Sequence, residues 1–517
     1  MTTTDPPVTE VQRELRRRRW LRVPVGLLLL IVLLAGLVTV VIGASALLRY
    51  SGESTVHFAD AEAHFMHGSI GSEPATGLPV RLWQVLPEMF PEVFEGGGYE
   101  VFGFLYGPDA SAANGDLPIG IGQRTVRGVD LGWFNCAVCH AGTVRGHAEE
   151  PPQLILAMPS NNLDLYAFIE FLLGIADDPR LAADNVLTEF ERQGHQLGWV
   201  ERLVWRHFVL PRVREGLLER RAVLGPLLAE QPAWGPGRVD TFNPYKIIQF
   251  GIPVDELDDS ERIGTADFPS VFLQGPREGM DLHWDGNNAS LQERNLSAAI
   301  GAGVTEETVD HASIERVAEW LSDLEPPSSP YQPDPERVQA GRELYMQQCA
   351  ACHGYQDGQR YVFEGERLGQ VVPNDQLGVD PARLDSYTEQ LREYQLTLFQ
   401  DDPRYRFRHF RKTNGYANQP LDGLWLRAPY LHNGAVPTLY DLLLPPEERP
   451  VAFVRGLDVL DPEKGGFVAP ECTPGEPLVE GFCFDTALPG NGNGGHTYGT
   501  DLEADARAAL LDYLLTF

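Results

Sequence analysis

The sequence predicts a mainly α-helical, loop-rich protein in which two lobes follow an N-terminal transmembrane helix. Three observations predict this fold class. An uncharged apolar stretch, residues 23–48, follows a run of arginines. The segment C-x-x-C-H occurs twice, at residues 136–140 and 349–353. Elsewhere, Gly- and Pro-rich stretches alternate with stretches of helical periodicity, the longest of them at residues 163–228.

The apolar stretch is long enough to cross a bilayer, because about 1.5 Å of rise per residue carries it past a hydrocarbon core of roughly 30 Å. The arginines before it predict a cytoplasmic tail at residues 1–22 and export of everything after residue 48. The alternative is a cleaved signal peptide, since Ala44-Ser45-Ala46 resembles a cleavage site. We predict an uncleaved, single-pass inner-membrane anchor with the bulk of the chain in the periplasm, joined by a linker at residues 49–75.

The charge of the chain limits its partners. A formal net charge of −32 and a pI near 4.7 repel nucleic acid and anionic lipid, so we predict no nucleic-acid role. A cationic electron-transfer protein is compatible with this charge, and a quinol-linked membrane chain is a second candidate redox partner.

The C-x-x-C-H segments predict covalent attachment of haem c, in which two thiols bind the haem and the adjacent histidine binds the iron. A zinc site would need a second ligand pair at short spacing, and a thioredoxin-like dithiol would need a βαβ context. Neither copy has these features, so we predict two covalently bound haems. The predicted residues are Cys136, Cys139 and His140 for haem 1 and Cys349, Cys352 and His353 for haem 2.

The two remaining cysteines, Cys472 and Cys483, lie eleven residues apart in a Gly- and Pro-rich loop. A disulfide is the expected pairing outside the cytosol, and two free thiols are the alternative.

A Pro-rich segment at residues 325–335 predicts a boundary between an N-terminal haem lobe, residues 76–325, and a C-terminal cytochrome c-like domain, residues 335–517. Asp334 followed by Pro335 predicts a helix start. The pattern from Thr500 to Glu503 predicts a capping box that opens the last helix. Gly341 is small enough to let the first and last helices of the domain cross, with Tyr345 and Tyr513 at the flanks.

The sixth iron ligand decides the chemistry, because a haem closed on both faces only carries electrons, whereas an open face can bind O₂ or peroxide. For haem 2 the candidate ligands are His496, His432 and His409, and we prefer His496 because its Gly-rich loop can fold over a haem. For haem 1 the candidates are Met158, His195, His207 and His283, or no ligand at all. The distal pocket is predicted from His283, Trp284 and Asn288, with a hydrogen-bonded loop around a core Trp as the alternative.

Several longer stretches resemble one protein superfamily. Residues 427–443, RAPYLHNGAVPTLYDLL, resemble the segment shared by bacterial di-haem cytochrome c peroxidases and their MauG-type relatives. GNGNGGHTYGTDL at 490–502, LHWDGNN at 282–288 and GRVDTFNPYK at 237–246 look closer to the RoxA-type rubber oxygenases. The resemblance implies an oxygen- or peroxide-reactive haem 1 with His140 as proximal ligand, and an electron-storing haem 2 held by His353 and His496. It also allows a Ca²⁺ between the lobes.

These observations together predict a membrane-anchored periplasmic di-haem oxidoreductase that uses O₂ or peroxide. The rubber oxygenases are secreted to an insoluble polymer, whereas this chain is predicted to be anchored, so we expect a smaller substrate. The alternative is a non-catalytic electron-transfer cytochrome with both haems six-coordinate. His432 and Asn433 are predicted to support haem 2 from a turn rather than to catalyse.

Overall fold

The computed structural model describes residues 25–107 and 117–517, and the predicted basic tail lies outside these ranges. The protein is helix-rich, with 43% of residues helical, and its sheets are small. The helices are α1 Val25–Arg49, α2 Ala61–His67, α3 Glu73–Thr76, α4 Val80–Met89, α5 Pro91–Phe94, α6 Leu165–Gly174, α7 Ala183–Arg192, α8 Trp199–Val204, α9 Leu210–Glu230, α10 Asn243–Phe250, α11 Leu291–Gly301, α12 His311–Asp323, α13 Pro335–Gln348, α14 Ala350–His353, α15 Asn374–Leu377, α16 Ala382–Ser386, α17 Glu389–Gln395, α18 Leu439–Leu442 and α19 Ala504–Leu514.

The strands are short, and most pair as two-stranded antiparallel ladders. They are β1 Ser54–Thr55, β2 Leu78–Pro79, β3 Ile121–Val126, β4 Val129–Phe134, β5 Ala141–Val144, β6 Gln153–Leu156, β7 Arg238–Asp240, β8 Thr265–Asp267, β9 Tyr355–Asp357, β10 Arg360–Val362, β11 Val371–Pro373, β12 Gly415–Ala417, β13 Ala452–Arg455 and β14 Phe482–Asp485.

The chain divides into two compact units, and the first comprises Met1–Ser54 and Thr125–Val129. Its main described element is α1. Within it, Gly26–Ser45 is long and apolar enough to cross a membrane. A signal sequence near an N-terminus meets the same criteria of length and composition, so this segment fits both an anchor and a signal sequence.

The second unit comprises Thr55–Arg124 and Asp130–Phe517, and both predicted lobes fall within it except for residues 125–129. Its largest core cluster joins residues from the whole length of the unit, including Phe65, Met158, Tyr345 and Leu510. The segment predicted as a linker carries α2, whose Phe65 side chain belongs to this core. The division at residues 325–335 remains a prediction from sequence.

The first and last helices of the predicted C-terminal domain cross closely at Gly341. A Cβ atom at this glycine would lie 1.9 Å from the carbonyl oxygen of Ala509, so only glycine allows the approach. The rings of Tyr345 and Tyr513 pack beside the crossing with centroids 5.1 Å apart. The predicted role of Gly341 is therefore confirmed.

The two predicted helix starts have different outcomes. Asp334 caps α13, and its carboxylate accepts hydrogen bonds from two backbone N–H groups of the first turn. The capping box predicted at Thr500 is wrong, because α19 begins only at Ala504, and the Thr500 hydroxyl donates instead to the carbonyl of Thr497.

One turn conformation occurs twice in the second unit, once after each C-x-x-C-H segment. Each copy is closed by an antiparallel bridge and has a non-glycine residue at positive φ, a glycine at φ +63° and a hydroxyl residue that caps the next helix. In the first copy the bridge joins Leu282 and Asn288, the positive-φ residues are His283 and Gly286, and Ser290 caps the helix. In the second copy the bridge joins Tyr430 and Val436, the positive-φ residues are Leu431 and Gly434, and Thr438 caps the helix.

Candidate functional site

The first C-x-x-C-H segment begins at a short 3₁₀ turn, Cys136–Val138, that follows β4. Asn135 fixes this turn, because its side-chain oxygen accepts from the Ala137 N–H at 2.9 Å while its amide donates to the Gly68 carbonyl. Neither cysteine forms a disulfide. Burial raises the pKa of Cys136 to about 11 and that of Cys139 to about 12.

His140 stands between this turn and strand β5. Burial lowers the pKa of His140 to about 4, and the carbonyl of Pro269 opposes the shift as a hydrogen-bond acceptor. The ring is therefore a neutral imidazole, the state in which histidine binds a metal. Met158, a predicted candidate ligand, is fully buried, with its sulfur 3.0 Å from where a Cβ of Gly142 would lie.

The second C-x-x-C-H segment lies at the end of α13, with His353 as the last residue of α14. Nδ1 of His353 is 2.8 Å from the backbone carbonyl of Gln419. A carbonyl only accepts, so Nδ1 carries the proton and Nε2 is left to bind a metal. The hydroxyl of Tyr361 donates to the His353 carbonyl and accepts from the Leu421 N–H, which fixes the same turn.

His353 faces His496 across the second site. Their ring centroids are 6.2 Å apart, and burial lowers the pKa of His496 to about 4. An imidazole nitrogen binds a metal at about 2.0 Å and lies about 1.1 Å from its ring centre. Two imidazoles on opposite faces of one iron therefore have centroids roughly 6.2 Å apart. The residues at this site fit a haem held by two histidines.

Two buried side chains, Arg449 and Asn433, hold the loop of His496, and sequence reasoning missed Arg449. Arg449, only 3% exposed, donates to the carbonyls of Asn493 at 2.6 Å, Gly495 at 2.9 Å and His496 at 3.3 Å. Asn433, predicted only to support haem 2, donates to the carbonyls of Gly490 and Gly492. The partners of Arg449 are backbone carbonyls more than forty positions away, so no pattern in the sequence indicates its role.

The predicted distal residues of haem 1 lie in the first copy of the repeated turn. Nδ1 of His283 is 2.6 Å from the Asn287 amide oxygen, and burial lowers the pKa of His283 to about 4. The Trp284 indole N–H donates to the Asp267 carbonyl at 2.8 Å. The Asn288 side chain bonds the Ser290 N–H and the Glu293 carboxylate, so it shapes the start of α11.

Gln419 joins this turn to the second site. Its side-chain amide donates to the His283 carbonyl at 2.9 Å, while its own carbonyl accepts from His353. A short chain of hydrogen bonds therefore runs from the distal turn to the proximal histidine of site 2.

The remaining histidines named from sequence lie elsewhere. His432 is buried, stacks on the Tyr416 ring at 4.2 Å, and has its Nε2 3.0 Å from the Tyr416 hydroxyl. His409 binds the Glu293 carboxylate at 2.6 Å and is half exposed. His195 packs on Phe190, and His207 is exposed on the surface.

Cys472 and Cys483 form a disulfide with Cα atoms 5.8 Å apart. Within residues 25–107 and 117–517, no group of three or more His, Cys, Asp and Glu side chains could hold a metal ion. The Ca²⁺ that the resemblance allows stays a prediction.

One family model of known proteins matches a segment of the chain that contacts the second site. Residues 415–454 match the family model described as RoxA-like, cytochrome c-like. This segment contains Gln419, Asn433 and Arg449, the residues that orient His353 and hold the loop of His496. The match supports a haem-binding cytochrome c-like domain, in which haem c is covalently bound.

Two uncharacterized proteins of Sinorhizobium fredii (strain NBRC 101917 / NGR234) are similar to this chain. The protein y4iJ is 30% identical over 35% of this chain and 39% of its own length. The protein y4iM is 28% identical over 48% of this chain and 60% of its own length. The chain therefore covers less than two thirds of either relative.

Proposed function

We propose that this protein is an exported di-haem c-type oxidoreductase. Site 1, with Cys136, Cys139 and His140, reacts with O₂ or peroxide. Site 2, with Cys349, Cys352, His353 and His496, stores and transfers electrons. When bound, the haems supply the redox-active irons, and the protein sets their ligation, surroundings and access.

The difference between the two sites carries this proposal. At site 2, His353 and His496 face each other at a spacing that suits two ligands of one iron. For site 1 we propose that no side chain closes the second face of the iron, and within residues 25–107 and 117–517 His140 has no ring contact with another histidine like that of His353 with His496. An iron with a free face is the one that can bind a small oxidant.

The residues around each site have distinct tasks. Asn135 orients the first haem-binding turn, and Gln419 orients His353. The hydrogen bonds from Gln419 to both His353 and the His283 carbonyl connect site 2 with the turn that is predicted to form the distal pocket of haem 1. This connection fits a protein in which one site supplies electrons to the other.

Electron paramagnetic resonance of the oxidised full chain, with and without imidazole, tests the proposal. We expect one high-spin haem that becomes low-spin with imidazole and one low-spin haem that does not respond. The His140→Ala variant should abolish the responsive signal, and the His496→Ala variant should make the second haem high-spin.

Two low-spin haems that ignore imidazole would refute the catalytic proposal. That result would leave the alternative, an electron carrier with both irons six-coordinate. A single haem by mass would refute the di-haem assignment itself.

A further inference from the structure

The helical segment from α8 into α9 presents large apolar side chains to solvent. Trp199 is 63% exposed, Leu203 48% and Phe208 71%. Trp199 and Leu203 are four residues apart and share one helix face. A π turn, Trp205–Val209, follows and carries one extra residue, so Phe208 lies close to the same face. The three exposed apolar side chains belong to one continuous helical segment, and clusters of this kind mark contact surfaces.

The opposite face of the same segment is fixed to the body of the protein. Trp205 is buried and packs edge-on against Phe190, with ring centroids 5.0 Å apart. Glu201 is also buried and pairs with Arg81 at 2.8 Å. The helix is therefore rigidly docked, and its exposed apolar face is not produced by a loose or frayed segment.

The charge of this segment is opposite to that of the whole chain. Residues 199–223 carry six arginines and three glutamates, in a protein of net charge −32. Arg202 and Arg206 pair with Glu191 and Asp184 through side chains that are 40% or more exposed. Such exposed pairs are weak, so the guanidinium groups can exchange these carboxylates for lipid phosphates.

From these observations we propose that the patch of Trp199, Leu203 and Phe208 lies in the interface of an anionic membrane. Trp and Phe beside arginines are the composition of helices that lie at a bilayer surface. If α1 is retained as the anchor, a short stretch of chain tethers the second unit to the membrane. Five residues separate Arg49, at the end of α1, from Thr55, and the six steps of extended chain between them span only roughly 20 Å.

This inference rests on the proposed export and on retention of α1. One experiment distinguishes failure of the anchor from failure of the membrane contact by the patch. The full chain is placed in lipid nanodiscs that contain phosphatidylglycerol and nitroxide-labelled lipid. The Leu203→Cys variant carries a fluorophore, and the Val451→Cys variant, at a side chain 76% exposed, is the matched control. We expect the fluorophore at position 203 to be quenched several-fold more than the one at position 451. Replacing Trp199 and Phe208 by serine should remove most of that difference.

Three other outcomes would refute the anchor, the patch or the membrane contact. A chain that does not elute with the discs refutes the anchor and the patch together. A chain that elutes with the discs but shows equal quenching at positions 203 and 451 refutes the patch alone. Shielding of position 203 that needs two copies in one disc would assign the patch to self-association and refute the membrane contact.

Discussion

Replacing Arg449 by methionine should release His496 from the second site. Arg449 donates to three carbonyls of the His496 loop and to the carbonyls of Leu442 and Leu444. Hydrogen bonds from a charged group contribute about 1.5–3 kcal/mol each. Two of the loop bonds are 2.9 Å or shorter, which gives about 3–6 kcal/mol.

The cost of burying the cation reduces this sum. Burial lowers the pKa of Arg449, which shows that desolvation opposes its charged form. We therefore expect the variant to lose about 3 kcal/mol of loop stability, or roughly two powers of ten in the equilibrium between closed and open loop.

The assay follows the low-spin signal of the second haem during guanidinium titration. The Arg449→Met variant should convert to high-spin at a much lower denaturant concentration than the parent, and Arg449→Lys should fall between them. The His496→Ala variant gives the reference signal of a second haem that has lost the His496 ligand completely. Arg392→Met, which removes an exposed pair with Glu389, is the control for loss of a charge. Equal midpoints for Arg449→Met and Arg392→Met would refute the assigned role of Arg449.

Three further predictions address other parts of the molecule. Gly341→Ala should cost about 1–3 kcal/mol of unfolding free energy, because the added Cβ meets the Ala509 carbonyl. Gly174→Ala, at the exposed end of α6 where an added Cβ meets no atom within 4 Å, should be neutral or stabilising in the same denaturant titration. Burial holds the pKa of His432 well below 6.5 in the folded protein. As the pH falls below about 6.5, the histidine therefore becomes protonated in the unfolded chain but stays neutral in the folded chain. Stability should therefore fall on acidification, and His432→Phe should show a smaller loss between pH 7 and pH 5. Gln419→Ala, which keeps the carbonyl bond to His353 but loses the side-chain bond to His283, should slow electron transfer between the haems in stopped-flow reduction while leaving the low-spin signal of site 2 unchanged.

Local patterns in the sequence predicted several features. The two C-x-x-C-H segments, the apolar N-terminal stretch and the helix start at Asp334 each depend on residues within a few positions of one another. The Thr500 to Glu503 pattern is equally local, yet the last helix begins at Ala504, because the Thr500 hydroxyl bonds to Thr497 instead. A local signal fails where a competing local hydrogen bond is available.

The sequence by itself determined where haem is expected to attach and that the chain carries a segment apolar enough to span a membrane. Only the tertiary structure decided which histidine faces His353, which residues hold that histidine's loop, and that one turn conformation occurs twice. Gln419, Asn433 and Arg449 act on residues more than forty positions away through hydrogen bonds to backbone carbonyls. Every residue offers a backbone carbonyl, so such contacts leave no pattern in the sequence and are fixed only when distant segments pack together.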